Sequence, residues 1–273
     1  MSSISTSELQ SVLGGPGAPI VLDVRRQPAY REASETVSGA LRRDPEAVED
    51  WMKALPRTSA VVAYCVHGHE VSQSVVKRLS EHGLGARCLK GGMDEWKAAQ
   101  GPLDVKPAGS GTRWVTRERP KIDRIACPWL IARFIDRDAE FLYVPEPQVR
   151  EVAQAQHAVP YDVAGVHFTH EGERCSFDAF VRHYRLGSDP ALERFALIVR
   201  AADTGRLDLA PQAAGLAAVS LGLSRLFADD HEMLDRGMVL YDALYVWCKE
   251  GQHESHTWNP QDALRAMSAK VTG

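Results

Sequence analysis

The sequence predicts two domains: an α/β domain built on a parallel sheet with helices on both faces, followed by a mainly helical α+β domain. Short apolar runs alternate with amphipathic stretches over the first hundred residues, which is the pattern of strands alternating with helices. Residues 107–111 are Pro, Ala, Gly, Ser and Gly, a composition typical of a linker. Beyond them, longer segments with helical periodicity dominate. We therefore place the domains at residues 1–106 and 113–273.

The elements of the first domain follow from apolar runs and helix-end signals. Buried strands are predicted at residues 20–24, 60–64 and 86–89, because each is a short apolar run. Helices are predicted, in order, at 7–13 behind Ser5 or Thr6, at 45–55, from Val71 to a stop at Gly83, and around Trp96. The polar stretch 25–39 is predicted to be irregular.

The second domain shows helical periodicity over most of its length. Its long helices are predicted at residues 122–135, 191–202, 212–227 and 233–249, with a short terminal helix after Pro260. A further helix at 177–184 is predicted to be N-capped by Ser176. Two short strands are predicted at 141–144 and 166–169.

Charge and cysteine usage limit the functional class. The chain has 32 basic and 36 acidic residues and a net charge of −4, which argues against a protein that coats nucleic acid. The five cysteines form no CxxC pair, and an odd number suits a reducing compartment. No secretory signal and no apolar run of ~20 residues is visible. We therefore expect a cytoplasmic protein with no membrane or nucleic-acid partner.

Cys65 stands where a predicted buried strand meets a short loop and a helix. Ligands bind at this carboxyl edge of open α/β sheets. Loop N–H groups and the helix dipole can stabilise a thiolate, a persulfide or a bound oxyanion. The predicted anion loop comprises Val66, His67, Gly68, His69, Glu70 and Val71. Cys65 is thus the candidate nucleophile, and the alternative is a buried core cysteine.

Several ordered motifs in residues 4–104 resemble the single-domain rhodanese family. They are Leu22-Asp23-Val24-Arg25, Ser38-Gly39-Ala40, Cys65-Val66-His67-Gly68 and Leu89-Lys90-Gly91-Gly92 followed by Trp96. The resemblance implies a sulfurtransferase with Cys65 as nucleophile, and we expect Asp23 and Arg25 to support its loop.

Two positions depart from the family pattern. Val37 stands where many rhodaneses have His, and Glu70 stands where many have Arg. A carboxylate at the end of the loop should repel thiosulfate.

Two groups of polar residues mark the second domain. The basic residues Arg113, Arg117, Arg119, Lys121 and Arg124 are clustered and indicate either a solvated linker edge or an oxyanion or inter-domain contact. His167, His170 and Cys175 are weak candidates for a metal site, with ordinary polar packing as the alternative. On a strand, residues at i and i+3 face opposite sides, so the two histidines converge only if the strand ends between them.

The second domain also resembles the chromate-resistance B family, in a match that spans about residues 113–250. The resemblance rests on the segments 119–131, 170–177, 209–215 and 241–245. It implies a link to chromate sensing or resistance. In that family the domain usually follows an N-terminal half of the DNA-binding type, whereas here a rhodanese-like domain precedes it.

Three functions remain open from the sequence. The first is a sulfurtransferase that forms a Cys65 persulfide and passes sulfane sulfur to a thiol acceptor, in a ping-pong reaction linked to chromate or oxyanion stress. Its partners are a small sulfur-donor anion and a thiol; it requires no cofactor, although the second domain could hold a metal. The second is an oxyanion or redox sensor with a weak rhodanese domain. The third is a partner module with an inactive loop. A homo-oligomer is compatible with all three.

Overall fold

A computed structural model describes residues 2–13, 18–106, 108, 109 and 111–253. The predicted helix after Pro260 lies outside these residues, as do Pro107 and Ser110 of the predicted linker. No helix in the described part of the chain is long and apolar enough to cross a membrane.

The first domain contains a parallel five-stranded sheet and a short antiparallel ribbon. Its strands are β1 (Ser3–Ile4), β2 (Ile20–Asp23), β3 (Glu35–Val37), β4 (Leu41–Arg42), β5 (Val61–Tyr64), β6 (Ala86–Leu89) and β7 (Leu103–Val105). Its helices are α1 (Thr6–Val12), α2 (Gln27–Glu32), α3 (Val48–Trp51), α4 (Glu70–Glu81) and α5 (Gly92–Ala98). The parallel strands run in the order β1-β6-β5-β2-β4, and β3 pairs with β7.

The central strand β5 shows how the sheet is buried on both faces. Successive side chains of a strand point to opposite faces. Val61 and Ala63 accordingly pack into one apolar cluster with α4, while Val62 and Tyr64 pack into another with Trp96 of α5. This arrangement confirms the predicted parallel sheet with helices on both faces.

Two predictions for this domain are wrong. The stretch 25–39 contains α2 and β3 rather than irregular chain. Each is anchored by one large, buried apolar side chain, Tyr30 in α2 and Val37 in β3. Two apolar residues are too few to produce a recognisable sequence pattern. The predicted helix at 45–55 is reduced to α3 and a 3-10 turn at Met52–Ala54. Of its large apolar residues, Val48 and Leu55 are buried, whereas Trp51 and Met52 are only partly buried.

The second domain packs helices around a small parallel sheet. Its strands are β8 (Arg113–Arg117), β9 (Glu140–Val144) and β10 (Val159–Pro160), in the order β10-β8-β9. Its helices are α6 (Asp123–Leu130), α7 (Val149–Ala155), α8 (Ser176–His183), α9 (Pro190–Asp203), α10 (Ala213–Leu226) and α11 (Asp230–Val246). Single π-helical turns extend α6 and α11.

The long helices of this domain lie where the periodicity predicted them, but three details differ. The sequence did not predict β8, β10 or α7. The strand predicted at 166–169 is reduced to an isolated bridge between Phe168 and Tyr161. Helix α8 is capped by Cys175 and not by Ser176, because the Asp178 carboxylate reaches back to the Cys175 N–H and defines the cap one residue earlier.

The two domains contact each other through polar and apolar groups. Tyr30 donates a hydrogen bond from its hydroxyl to Asp136 Oδ2 at 2.8 Å, and Arg43 Nη2 donates to the Phe134 carbonyl at 3.0 Å. One apolar cluster also contains residues from both domains. The domain bounds 1–106 and 113–273, and the folding of residues 1–108 on their own, stay predictions.

Candidate functional site

Cys65 lies directly after β5, at the carboxyl edge of the parallel sheet. Its side chain is buried, with the residue 6% exposed. Its Sγ lies 3.2 Å from the hydroxyl of Ser72, which in turn lies 3.1 Å from the Sγ of Cys88 on β6. Burial raises the pKa of Cys88. Cys65 therefore occupies the predicted place, with a second thiol on the far side of one serine.

The loop after Cys65 is held against the turn that begins α5. Met93 N–H donates to the Cys65 carbonyl at 2.9 Å, and Asp94 N–H donates to the Val66 carbonyl at 3.1 Å. Gly68 has φ +70°, and a Cβ on it would lie 2.6 Å from the Leu89 carbonyl oxygen. Only glycine fits this close approach in the left-handed region.

The backbone N–H groups of the same loop, residues 66–71, have no acceptor in the described part of the chain. Helix α4 begins at Glu70, so the positive end of its dipole adds to these donors. Consecutive unpaired N–H groups at a helix start form an anion-binding concavity. The loop can thus hold a negatively charged sulfur or oxyanion group.

Charged side chains surround the loop on its solvent side. His67 Nδ1 lies 2.6 Å from Asp94 Oδ2, and both side chains are more than half exposed. His69 and Glu70 are also exposed, and Glu70 makes no ion pair within the described chain. Val37, which replaces the family histidine, is fully buried in the core and is not part of the loop.

Asp23 and Arg25 form a buried ion pair next to β5. Their side chains are 1% and 3% exposed. Tyr64 donates from its hydroxyl to Asp23 Oδ2 at 2.8 Å, and Arg25 Nη2 donates to the Glu35 carbonyl at 3.0 Å. The pair thus supports the strand that carries Cys65; its recorded hydrogen bonds, among the described residues, do not reach the loop itself.

Comparison with known protein families matches both halves of the chain. The family described as "Rhodanese-like domain" matches residues 5–99, and "ChrB, C-terminal domain" matches residues 114–248. The chain carries a rhodanese-like domain followed by a ChrB C-terminal domain. The ranges agree with the motifs from which both resemblances were inferred.

Two curated relatives cover different halves. Protein ChrB of Cupriavidus metallidurans is 36% identical over 136 residues, which are 50% of this chain and 40% of ChrB. The chain therefore spans less than half of that relative. Thiosulfate sulfurtransferase GlpE of Pseudomonas fluorescens is 29% identical over 92 residues, which are 33% of this chain and 81% of GlpE.

Solved structures resemble the rhodanese-like domain. A rhodanese-like domain from Anabaena sp. is 27% identical with a TM-score of 0.34, covering 40% of this chain and 87% of the solved chain. A rhodanese-like domain protein from Staphylococcus aureus is 25% identical with a TM-score of 0.34, covering 39% and 100%.

The ChrB C-terminal domain holds a second polar cluster, centred on His170. Its Nε2 lies 3.4 Å from Asp123 Oδ2, 3.5 Å from Asp162 Oδ1 and 3.2 Å from Asp203 Oδ2. Cys175 lies in the same region, within 4.8 Å of carboxylate oxygens of Asp123 and Asp203. The structure thus brings two of the three predicted metal candidates to one place.

His167 does not belong to this cluster, which corrects the predicted grouping. Its Nε2 lies 3.0 Å from His183 Nδ1, and His183 Nε2 lies 3.4 Å from Asp104 Oδ2 of β7. These three residues line a cavity of about 250 Å³ between the domains. Burial and the neighbouring His183 lower the pKa of His167. Phe168, between His167 and His170, forms an isolated β-bridge with Tyr161. His167 and His170 therefore point to different places.

The carboxylates of the cluster differ in their electrostatic environment. Burial raises the pKa of Asp123, and it raises the pKa of Asp203 to about 8. Contacts with Asp123 and Asp162 raise the pKa of His170 to about 10. Burial would also raise the pKa of Asp162, but contacts from His170, Arg117 and Ser176 hold it below its usual value.

The basic residues after the linker are mostly paired inside their own domain. Arg113 bonds Glu140 at 2.6 Å, Arg117 bonds Asp162 at 2.8 Å, and Arg124 lies 3.2 Å from Asp162. Arg119 lies 3.8 Å from Asp230. These four arginines therefore have acidic partners later in their own domain, whereas Lys121 is exposed; an oxyanion contact stays a prediction.

Sequence reasoning missed Asp123, Asp162 and Asp203 as members of the cluster. Asp123 begins α6, Asp162 follows β10 and Asp203 ends α9. No spacing rule joins these positions, although Asp123 lies within the segment that carried the ChrB resemblance. Only the tertiary fold places them around His170.

Proposed function

We propose that the protein is a sulfurtransferase that carries sulfane sulfur on Cys65, in a role linked to chromate or oxyanion stress. The Cys65 thiolate attacks the outer sulfur of a donor such as thiosulfate. The donor S–S bond breaks, its electron pair leaves with sulfite, and Cys65 becomes a persulfide. An acceptor thiolate then attacks the outer sulfur and releases Cys65 as thiolate.

The observation that carries this proposal is the loop from Cys65 to Val71. Its N–H groups have no acceptor among the described residues, and the loop ends at the start of α4, so these donors support the binding of a terminal persulfide sulfur or of the oxyanion part of a donor. Interactions aimed at developing negative charge are the main catalytic contribution of such donors. The relative named thiosulfate sulfurtransferase and the ChrB-type second domain agree with this proposal.

The test is the intact mass of the reduced protein after incubation with thiosulfate or 3-mercaptopyruvate. We expect a gain of one sulfur atom, reversed by a thiol acceptor. Cys65→Ser should abolish the gain, whereas Cys88→Ser, which removes the neighbouring thiol, should retain it. An unchanged gain in Cys65→Ser would contradict the assignment of the nucleophile.

A second candidate function is redox sensing at the same cysteine. It is favoured by the exposed carboxylates of Glu70 and Asp94 near the loop, which oppose the binding of anionic donors. Under this alternative, no donor adds sulfur to Cys65. Hydrogen peroxide instead adds one oxygen atom to the thiolate, giving a sulfenic acid, which dimedone labelling detects in the wild type and not in Cys65→Ser.

A further inference from the structure

We propose that the ChrB C-terminal domain binds one divalent transition-metal cation between Asp123, Asp162, His170 and Asp203. This inference is independent of the sulfur-transfer proposal, since the four residues belong to the other domain. They also come from four separate segments: the start of α6, the loop after β10, the loop before α8 and the end of α9.

One ligand atom each of Asp123, Asp162 and His170 lies within 4.8 Å of the other two, and Asp203 lies beside the same imidazole nitrogen. Three carboxylate oxygens lie 3.2–3.5 Å from one imidazole nitrogen. That nitrogen carries at most one hydrogen, so it cannot bond three acceptors well. Ligands about 2.0–2.1 Å from one tetrahedral ion are about 3.3–3.4 Å apart. A cation between the groups therefore accounts for the distances better than a histidinium among them.

Asp123 supplies an independent indication of a ligand. The residue is 2% exposed, and its Oδ2 is buried with no hydrogen-bond partner among the described residues. Its contact with His170, at 3.4 Å, is an ion pair without hydrogen-bond geometry. Buried charged groups are normally paired and hydrogen-bonded or coordinate a metal. This oxygen faces the centre of the cluster, where a cation would satisfy it.

The charges of the cluster match a divalent ion. Arg117 and Arg124 lie 2.8 Å and 3.2 Å from Asp162 Oδ2, and Ser176 donates to Asp162 Oδ1 at 2.7 Å. This carboxylate is therefore neutralised and oriented by its outer neighbours, as metal ligands usually are. Asp123 and Asp203 supply two further carboxylates, and one dication balances their two charges when it binds them.

The ligand types select the class of metal. An imidazole among carboxylates suits Zn²⁺, Fe²⁺ or Mn²⁺, whereas Mg²⁺ and Ca²⁺ prefer oxygen ligands alone. Cys175 lies beside the site but caps α8, and its Sγ donates to Asp178 Oδ2 at 3.7 Å. We therefore place it outside the ligand set. His170 is 42% exposed, so an ion can enter from solvent.

The test is titration of the full-length, tag-free, chelator-treated protein with Zn²⁺ and with Mn²⁺ by isothermal calorimetry. We expect one equivalent of at least one metal to bind. His170→Ala and Asp203→Asn should weaken binding by more than about 100-fold, beyond the range of an outer-shell partner. His167→Ala is the matched control and should bind as the wild type does. No binding of either metal, or equal binding in all variants, overturns the proposal.

Thermal melting separates a metal site from a structural ion-pair cluster. The bound metal should raise the Tm of the wild type and not of Asp123→Asn, because a ligand stabilises only the state that binds it. Without metal, Asp123→Asn replaces a buried carboxyl oxygen that has no hydrogen-bond partner among the described residues, so its Tm should equal or exceed that of the wild type. A lower metal-free Tm together with an unchanged response to metal would overturn the proposal.

Discussion

The Cys65 loop and the His170 cluster are both polar sites, but they are built in opposite ways. The loop takes its nucleophile and its free N–H donors from one continuous segment, residues 65–71. The cluster takes one side chain from each of four distant segments. The loop depends on backbone geometry fixed by glycine, whereas the cluster depends on side-chain charges brought together by the tertiary fold. A local site can be found in a sequence, and an assembled site cannot.

Alanine at Gly68 should have the largest effect, because it acts on the backbone geometry of the loop. Its Cβ would lie 2.6–2.8 Å from three backbone atoms of residues 89–92, so the loop has to move. A displacement of about 1 Å can cost about 100-fold in rate. We expect Gly68→Ala to slow persulfide formation by at least that factor, measured by intact mass against time.

Gly172 provides the matched control in the other domain. It also has a positive φ, +59°, but a Cβ there meets nothing within 4 Å. Both substitutions carry the left-handed cost of about 1–2 kcal/mol, but only Gly68→Ala adds a collision. Persulfide formation in Gly172→Ala should stay within about twofold of the wild type. If both variants lose activity equally, stability and not loop geometry accounts for the loss.

The next largest effect is expected from replacing one buried aspartate in each domain by asparagine and comparing the free energies of unfolding. Asp23→Asn leaves Arg25 buried without its carboxylate partner, and breaking a buried pair in this way costs about 3–5 kcal/mol. We expect the free energy of unfolding in urea to fall by about 3 kcal/mol. Asp123→Asn in the metal-free protein should not lower it. Equal destabilisation by both would mean that Asp123 is held by a structural ion pair, as Asp23 is.

The same contrast explains which elements the sequence revealed. Strands β2, β5 and β6 were predicted within one residue, because each is an apolar run bounded by polar chain. Strand β8 was missed because it begins and ends with arginines, and its burial depends on partners such as Glu140 and Asp162. Helix α2 was missed because Tyr30 is its only buried side chain.

The sites follow the same rule. Cys65 and its loop were found because strand, glycine and helix start are adjacent in sequence. His170 and Cys175 were found by residue type alone, and His167 was wrongly joined to them. Nothing in the sequence showed that Asp203, at the end of α9, reaches His170.

The smallest predicted effect concerns Glu70, where the loop meets solvent. Its carboxylate is exposed at the first turn of α4, so water and salt weaken its action on an anion in the loop. At about 8 Å in water, one pair of unit charges is worth about 0.5 kcal/mol. Replacing Glu by Arg turns repulsion of a bound dianion into attraction. Screening by salt reduces the total change in interaction free energy to about 1 kcal/mol. Glu70→Arg should thus raise kcat/KM for thiosulfate about fivefold to tenfold.

Two controls make the Glu70 prediction specific to the loop. Glu81→Arg makes the same charge change at the other end of α4, and it should alter kcat/KM by less than about twofold. The effect of Glu70→Arg should also shrink as ionic strength rises, and it should be small with an uncharged sulfur donor, because only an anion responds to the field. If Glu70→Arg changes thiosulfate kinetics no more than Glu81→Arg does, the carboxylate points away from the loop. The backbone N–H groups of the loop alone then determine which sulfur donor the protein prefers.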